Sequence, residues 1–98
     1  MVVLHLLCQE DCYVYQITQK VAKLSGNRFT LQEGSLYPTL YRLQEKGYVT
    51  DKVVISEENQ RLRKYYSITP SGREYLNELK QDYQTVIDGI SLIMSSQD

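Results

Sequence analysis

Gly34-Ser35-Leu36-Tyr37-Pro38-Thr39-Leu40-Tyr41-Arg42-Leu43-Gln44-Glu45-Lys46-Gly47-Tyr48-Val49 contains the change of period on which the fold turns. Up to Gly47 the apolar residues Leu36, Leu40 and Leu43 fall four and three apart, the stripe of a helix. Beyond Tyr48 the period becomes extended. Val53-Val54-Ile55 is β-branched, and Leu62, Lys64, Tyr66 and Ile68 alternate with Arg61, Arg63, Tyr65 and Ser67. The residues Thr30-Leu31-Gln32-Glu33 offer a capping box, but a proline is tolerated only near a helix start, so Pro38 places the regular helix from about Gly34-Ser35. Two strands are predicted at 49–56 and 62–68, joined as an antiparallel hairpin by the polar, exposed and mobile tip Glu57-Glu58-Asn59-Gln60.

Working toward the N-terminus, Val14, Ile17, Val21 and Leu24 predict a helix near 12–25, ended by Gly26-Asn27, and Leu4 and Leu7 predict a short helix over 2–9. Toward the C-terminus, Thr69-Pro70 is a helix start, with Thr as cap and Pro in the first turn. Leu76, Leu79, Tyr83, Val86, Ile90 and Ile93 then repeat as a heptad, a pattern suited to a seam between helices. A helix over 70–95 would be about 39 Å long at 1.5 Å per residue. A compact domain of this size has a radius of gyration near 13 Å, so the far end must project and needs a partner. A homodimer through these six residues is the expectation, and a helix folded back onto the first helix is the alternative.

The chain has 98 residues, which bounds it to one compact fold. With 42% hydrophobic and 23% charged residues it is neither a disordered tail nor a fibrous repeat. No apolar run approaches the roughly 18 residues that span a bilayer, and the opening residues lack the basic leader of a signal peptide, so a cytoplasmic location is expected and no membrane partner. Cys8 and Cys12 are expected as reduced thiols. The net charge of −1 hides an asymmetry. Residues 42–73 carry seven bases against four acids, a net of +3, whereas residues 74–98 carry one base against five acids, a net of −4. A polyanion would dock on the middle segment.

Three helices, a two-stranded hairpin and a long last helix describe a mainly α fold, a winged helix-turn-helix with a long C-terminal dimerisation helix. On this reading residues 1–69 are the DNA-binding domain and 70–98 the dimerisation helix. The third helix would enter the major groove with the hairpin beside it as a wing. Ser35, Tyr37, Pro38, Thr39 and Arg42 are placed at DNA, through hydroxyls near a helix start and a guanidinium able to reach phosphate or guanine. The competing use for Ser35 is a helix cap and for Tyr37 packing beneath the helix. Arg61, Arg63 and Lys64 are placed at phosphates, with alternation setting the two arginines on one face and Lys64 on the other. His5, Cys8 and Cys12 stand three and four apart, yet structural zinc takes four ligands and the chain has no other His or Cys, so a buried Cys8 and a surface His5 are expected, with no metal or cofactor. With one His, no recognisable nucleophile and base pair and no phosphate-cradling glycine loop, the residues do not describe an enzyme.

The run 34–49 resembles the G-[ST]-L-Y-P-x-L-x-R-L-E-x-x-G-[LY]-[IV] signature of the PadR family of transcriptional regulators. Arg61-Leu62-Arg63-Lys64-Tyr65-Tyr66-Ser67-Ile68-Thr69-Pro70-Ser71-Gly72-Arg73 resembles that family's wing and helix start, R-x-R-K-Y-Y-x-[IL]-T-x-x-G-R. The chain departs from the pattern in having Val14 where relatives carry a glycine, and in a short first helix, which is expected to continue upstream of Met1. The resemblance implies a dimeric repressor released by a small aromatic or phenolic effector bound between the first and last helices. Its partners would be double-stranded DNA with an inverted-repeat operator and a second copy of the chain. A winged-helix protein-interaction module without DNA binding is the alternative, favoured by the net charge and opposed by Arg61, Arg63 and Lys64.

Overall fold

The computed structural model describes residues 1–97 as a helix-turn-helix, a hairpin and a long helix. The elements run α1 (Val2–Gln9), α2 (Val14–Leu24), α3 (Glu33–Glu45), β1 (Val49–Ile55), β2 (Leu62–Ile68) and α4 (Pro70–Met94). The core gathers one or more residues from every element, among them Leu4, Leu7, Ile17, Leu36, Leu40, Val49, Tyr66 and Leu76.

α1 buries Val3, Leu4, Leu6 and Leu7, two adjacent pairs that cover more than one stripe of a helix, and packs against α2, β2 and α4 at once. After it, the backbone of Cys12 exchanges hydrogen bonds with Tyr66 at 3.2 and 2.8 Å, which fixes the α1–α2 connection along β2 like a third strand. α2 starts at Val14, two residues later than the expected start at 12, because the Tyr13 N–H donates to Gln16 Oε1 at 3.1 Å in a capping box. Leu24, expected on the apolar stripe, is 68% exposed at the last residue of the helix, just before Gly26 and Asn27 turn the chain with φ of 63° and 64°. α3 begins at Glu33, and its cap residue Gln32 makes no side-chain bond, so the box expected at Thr30 does not form. Pro38 lies inside α3, and its ring removes the hydrogen bond that the Gly34 carbonyl would otherwise accept.

β1 and β2 pair antiparallel from Val49 opposite Ile68 to Ile55 opposite Leu62. The tip forms a defined turn. Ser56 N–H donates to the Arg61 carbonyl at 2.9 Å, Gln60 N–H donates to the Ser56 carbonyl at 2.8 Å, and Gln60 takes a φ of 55°.

At the base of the hairpin, Thr69 Oγ1 donates to the Gly47 carbonyl at 2.7 Å and accepts from Gly72 N–H at 3.0 Å, capping α4 and tying it to the end of α3. A Cβ on Gly72 would stand 2.2 Å from the Tyr48 carbonyl oxygen and 2.7 Å from Ile68 Cγ1, so only glycine lets the first turn of α4 approach this closely. One turn on, Tyr75 stacks on Tyr48 with ring centroids 4.4 Å apart.

The heptad of α4 divides in two. Leu76, expected on the seam between subunits, is 2% exposed within the core of its own chain, and Leu79 packs partly against the same core, because the first turns of α4 close over α1. Tyr83, Val86, Ile90 and Ile93 are all at least half exposed. The helix therefore runs out of the globular part, giving extents of 63 × 30 × 21 Å and a radius of gyration of 16.5 Å, above the roughly 13 Å of a compact chain of this length. The segment expected as 70–98 ends at Asp98, which lies outside the described residues.

Gly72→Ala is expected to force a backbone shift that lowers stability by about 1–3 kcal/mol. Thr69→Ala should cost about 1 kcal/mol, while Thr69→Ser keeps both hydrogen bonds. Thermal melts followed by circular dichroism check both: a Gly72→Ala protein that melts with the wild type would mean the junction relaxes freely.

Candidate nucleic-acid interface

Because α3 turns Leu36 and Leu40 into the core, the opposite face is set outward: Ser35, Tyr37, Pro38, Tyr41 and Arg42 are exposed. Gln32 occupies the cap position, so Ser35 is not the helix cap and its hydroxyl stands exposed in the first turn. Thr39 is half-buried and its Oγ1 donates to the Ser35 carbonyl at 3.3 Å, which ties that hydroxyl to its own helix. Tyr37 is 52% exposed and so does not pack wholly beneath the helix. A Cβ on Gly34 would meet nothing within 4 Å, so the first turn of α3 presents bare backbone, at the helix end where N–H groups favour anions.

The hairpin offers two faces to two different helices, as strand alternation requires. On one, the Arg63 guanidinium lies 4.4 Å from the centre of the Tyr13 ring, and Tyr13 meets Tyr65 edge to face at 5.3 Å. This cation–π contact holds Arg63 at the start of α2. On the other, Lys64 Nζ lies 3.3 Å from Asp51 Oδ2, and the same oxygen accepts a 2.6 Å hydrogen bond from Gln44 Nε2 of α3. The Gln44 hydrogen bond, and then Lys64, hold the Asp51 carboxyl below the usual carboxylate range. Burial pushes the Tyr66 phenol up.

These faces meet in a cleft of about 240 Å³ between the starts of α2 and α3 and the middle of β2, where Tyr37, Arg63 and Lys64 come together with Tyr15 and Glu33. Arg42 and Arg61 stand outside it, one exposed on the second half of α3 and the other exposed beside the tip. Sequence reasoning missed Tyr13, Tyr15 and Glu33. A signal existed for Tyr15, which falls off the Val14–Ile17–Val21 stripe and is 54% exposed. Nothing in the sequence paired Tyr13 with Arg63, fifty positions away.

The thiols correct one expectation. Cys12 is the buried one, its pKa pushed up by burial, and Cys8 is half-buried with its sulfur 2.9 Å from Arg73 Nη1. His5 is exposed and lies 3.3 Å from Gln9 Nε2 through its own Nε2. Among the described residues no group of three or more His, Cys, Asp or Glu gathers as a metal site, and no helix is long and apolar enough to cross a membrane.

The described family that matches the chain is the Transcriptional regulator PadR-like family, over residues 3–78. An uncharacterised protein of Lysinibacillus sphaericus is 34% identical over 97 residues, covering 95% of this chain and 84% of its own. The crystal structure of a PadR-like transcriptional regulator from Bacillus cereus superposes with a TM-score of 0.82 at 30% identity, over 97% of this chain and 89% of that one. The structure of Bacillus subtilis PadR in complex with operator DNA superposes with a TM-score of 0.70 at 26% identity, over 80% of this chain and 42% of that one. With the family match running from α1 into α4 and the winged-helix architecture shared, this chain belongs to the PadR-like family of transcriptional regulators.

Proposed function

We propose that the protein is a homodimeric repressor that binds an inverted-repeat operator and is released by a small aromatic effector. The observation that carries the DNA reading is the cleft in which Tyr37 of α3 meets Arg63 and Lys64 of the wing. A helix whose first turn exposes backbone, hydroxyls and a tyrosine, flanked by cations on a hairpin, has the groups that phosphate contact and base readout require. Ser35, Tyr37, Pro38 and Arg42 are the α3 residues assigned to DNA; Thr39, with its hydroxyl turned to its own helix, contributes its methyl group. Arg61, Arg63 and Lys64 are assigned to the backbone.

The dimer reading rests on the projecting half of α4. Tyr83, Val86, Ile90 and Ile93 form an exposed apolar stripe on a helix that has left its own core. The DNA-binding unit then consists of residues 1–69 with the first turns of α4, and the dimerisation segment is the remainder of 70–98. Two-fold pairing presents two recognition helices, which is the reason for an inverted repeat with half-sites about one helical turn or a multiple apart. For the effector, a cavity of about 250 Å³ lies where α1 meets α4, lined by Met1, Val2, His5, Lys80 and Tyr83, next to the apolar stripe. A ligand there would act by binding one arrangement of the two subunits better than the other.

Three measurements test the proposal. In fluorescence-anisotropy titrations across salt concentration, Arg61→Ala and Arg63→Ala should each weaken binding to all duplexes and reduce the salt slope by about 1 per lost contact; failure of the wild type to bind any duplex at low salt would favour the protein-interaction module. Ile90→Asp with Ile93→Asp should convert the dimer to a folded monomer in sedimentation, since Leu76 still anchors α4. A wild-type chain that sediments as a monomer would defeat the dimer. Finally, a phenolic ligand that weakens operator binding tenfold must itself bind the operator complex tenfold more weakly, a coupling of about 1.4 kcal/mol. Equal ligand affinities with and without operator, by calorimetry, would exclude that ligand as an effector.

A further inference from the structure

We infer that Asp51 masks Lys64 in the free protein and on unrelated DNA, and gives it up to a phosphate only when α3 is seated on its operator. The inference rests on the DNA reading above. Asp51 stands opposite Tyr66 in the hairpin register, two positions from Lys64 along β2, so the two side chains are diagonal neighbours on the face turned toward α3. Asp51 Oδ2 receives both Lys64 Nζ at 3.3 Å and Gln44 Nε2 at 2.6 Å. One carboxylate oxygen thus joins the recognition helix to a wing cation that lines the cleft beside Tyr37.

The chemistry suits an exchangeable mask. The Lys64 side chain is 54% exposed and that of Asp51 30%, so the pair lies at the solvent boundary, where an ion pair is weak and a phosphate can replace the carboxylate. When Lys64 leaves, Gln44 still donates to Asp51, so the carboxylate is not abandoned without a partner. A phosphate reaches the cleft when α3 is seated, because Tyr37 and Glu33 of that helix form its opposite wall. A duplex held only loosely leaves the pair intact and gains nothing from Lys64. Non-specific affinity comes almost wholly from phosphate contacts, so a cation already paired with a carboxylate adds less to the hold on arbitrary sequence. Asp51 is in this sense a specificity-determining residue that acts through Lys64.

The test compares the wild type with Asp51→Asn, Lys64→Ala and the double variant. Asn keeps a carbonyl oxygen for Gln44 and loses the charge. The probes are an unrelated duplex and a duplex selected from a random pool by the wild-type protein. Asp51→Asn should bind the unrelated duplex about two- to fivefold more tightly, within what an exposed ion pair is worth. Its salt slope on that duplex should steepen by about 1, while the slope on the selected duplex stays unchanged. In the Lys64→Ala background both effects should vanish. A gain that persists without Lys64 would show plain repulsion between Asp51 and DNA, and an unchanged slope on the unrelated duplex would show no masking; either overturns the inference. Wild-type protein that binds no duplex at all removes the DNA reading itself, an outcome distinct from both. The Lys64 ammonium resonance in the free protein gives a readout without DNA: it should move on Asp51→Asn, and its failure to move would also overturn the inference.

Discussion

The architecture depends on one close approach, that of the Gly72 backbone to the Tyr48 carbonyl. Four elements end or begin within a few residues of it: α3 terminates at Glu45, β1 starts at Val49, β2 stops at Ile68 and α4 starts at Pro70. Thr69 joins the same point through bonds to Gly47, Tyr48 and Gly72. Since no side chain separates the two backbones, the direction in which α4 leaves is set by main-chain contact, which is stiffer than a contact between flexible side chains. The orientation of the long helix relative to α3 is therefore set at the junction.

The wing is organised by the opposite means. Its two faces are attached to two helices through side chains, Arg63 on Tyr13 of α2 and Lys64 through Asp51 to Gln44 of α3. These are polar and aromatic contacts at the surface, each of modest strength. The middle of β2 is also held by the Cys12–Tyr66 backbone bonds and the burial of Tyr66, so these side-chain contacts add to a firm attachment near the base. Glu57 and Glu58 at the tip add a local negative charge near Arg61, whereas Arg63 and Lys64 stand farther from it along β2.

The period of the apolar residues disclosed each element to within a residue or two at most boundaries, because burial of one face is what makes these helices and strands form. It could not disclose which partner each apolar residue meets. Leu76 and Ile90 occupy the same kind of heptad position, yet the first is covered by its own chain and the second is exposed. The difference lies in where α1 stops covering α4, a property of the assembled fold. Caps were similarly hidden: α3 is capped at Gln32 and not at Thr30, and α2 carries an unforeseen box of Tyr13 with Gln16, placed just after Cys12 is fixed against Tyr66. The exposed residues of α3 were readable as the face opposite Leu36 and Leu40. Tyr15 left a signal in falling off the apolar stripe of α2, but Tyr13, Glu33 and Asp51 left none, because they reach the cleft or its cations through contacts between segments far apart in sequence.

The packing of α1 has a consequence for how the molecule is made. Four residues of α1 are apolar and buried by partners later in the chain, α2, β2 and α4. During synthesis on a ribosome, α2 and β2 emerge before Leu76 and Leu79, so the cover of Val3 to Leu7 is completed only with the first turns of α4. Until those turns of α4 have emerged, the side of this apolar segment that they cover has no partner.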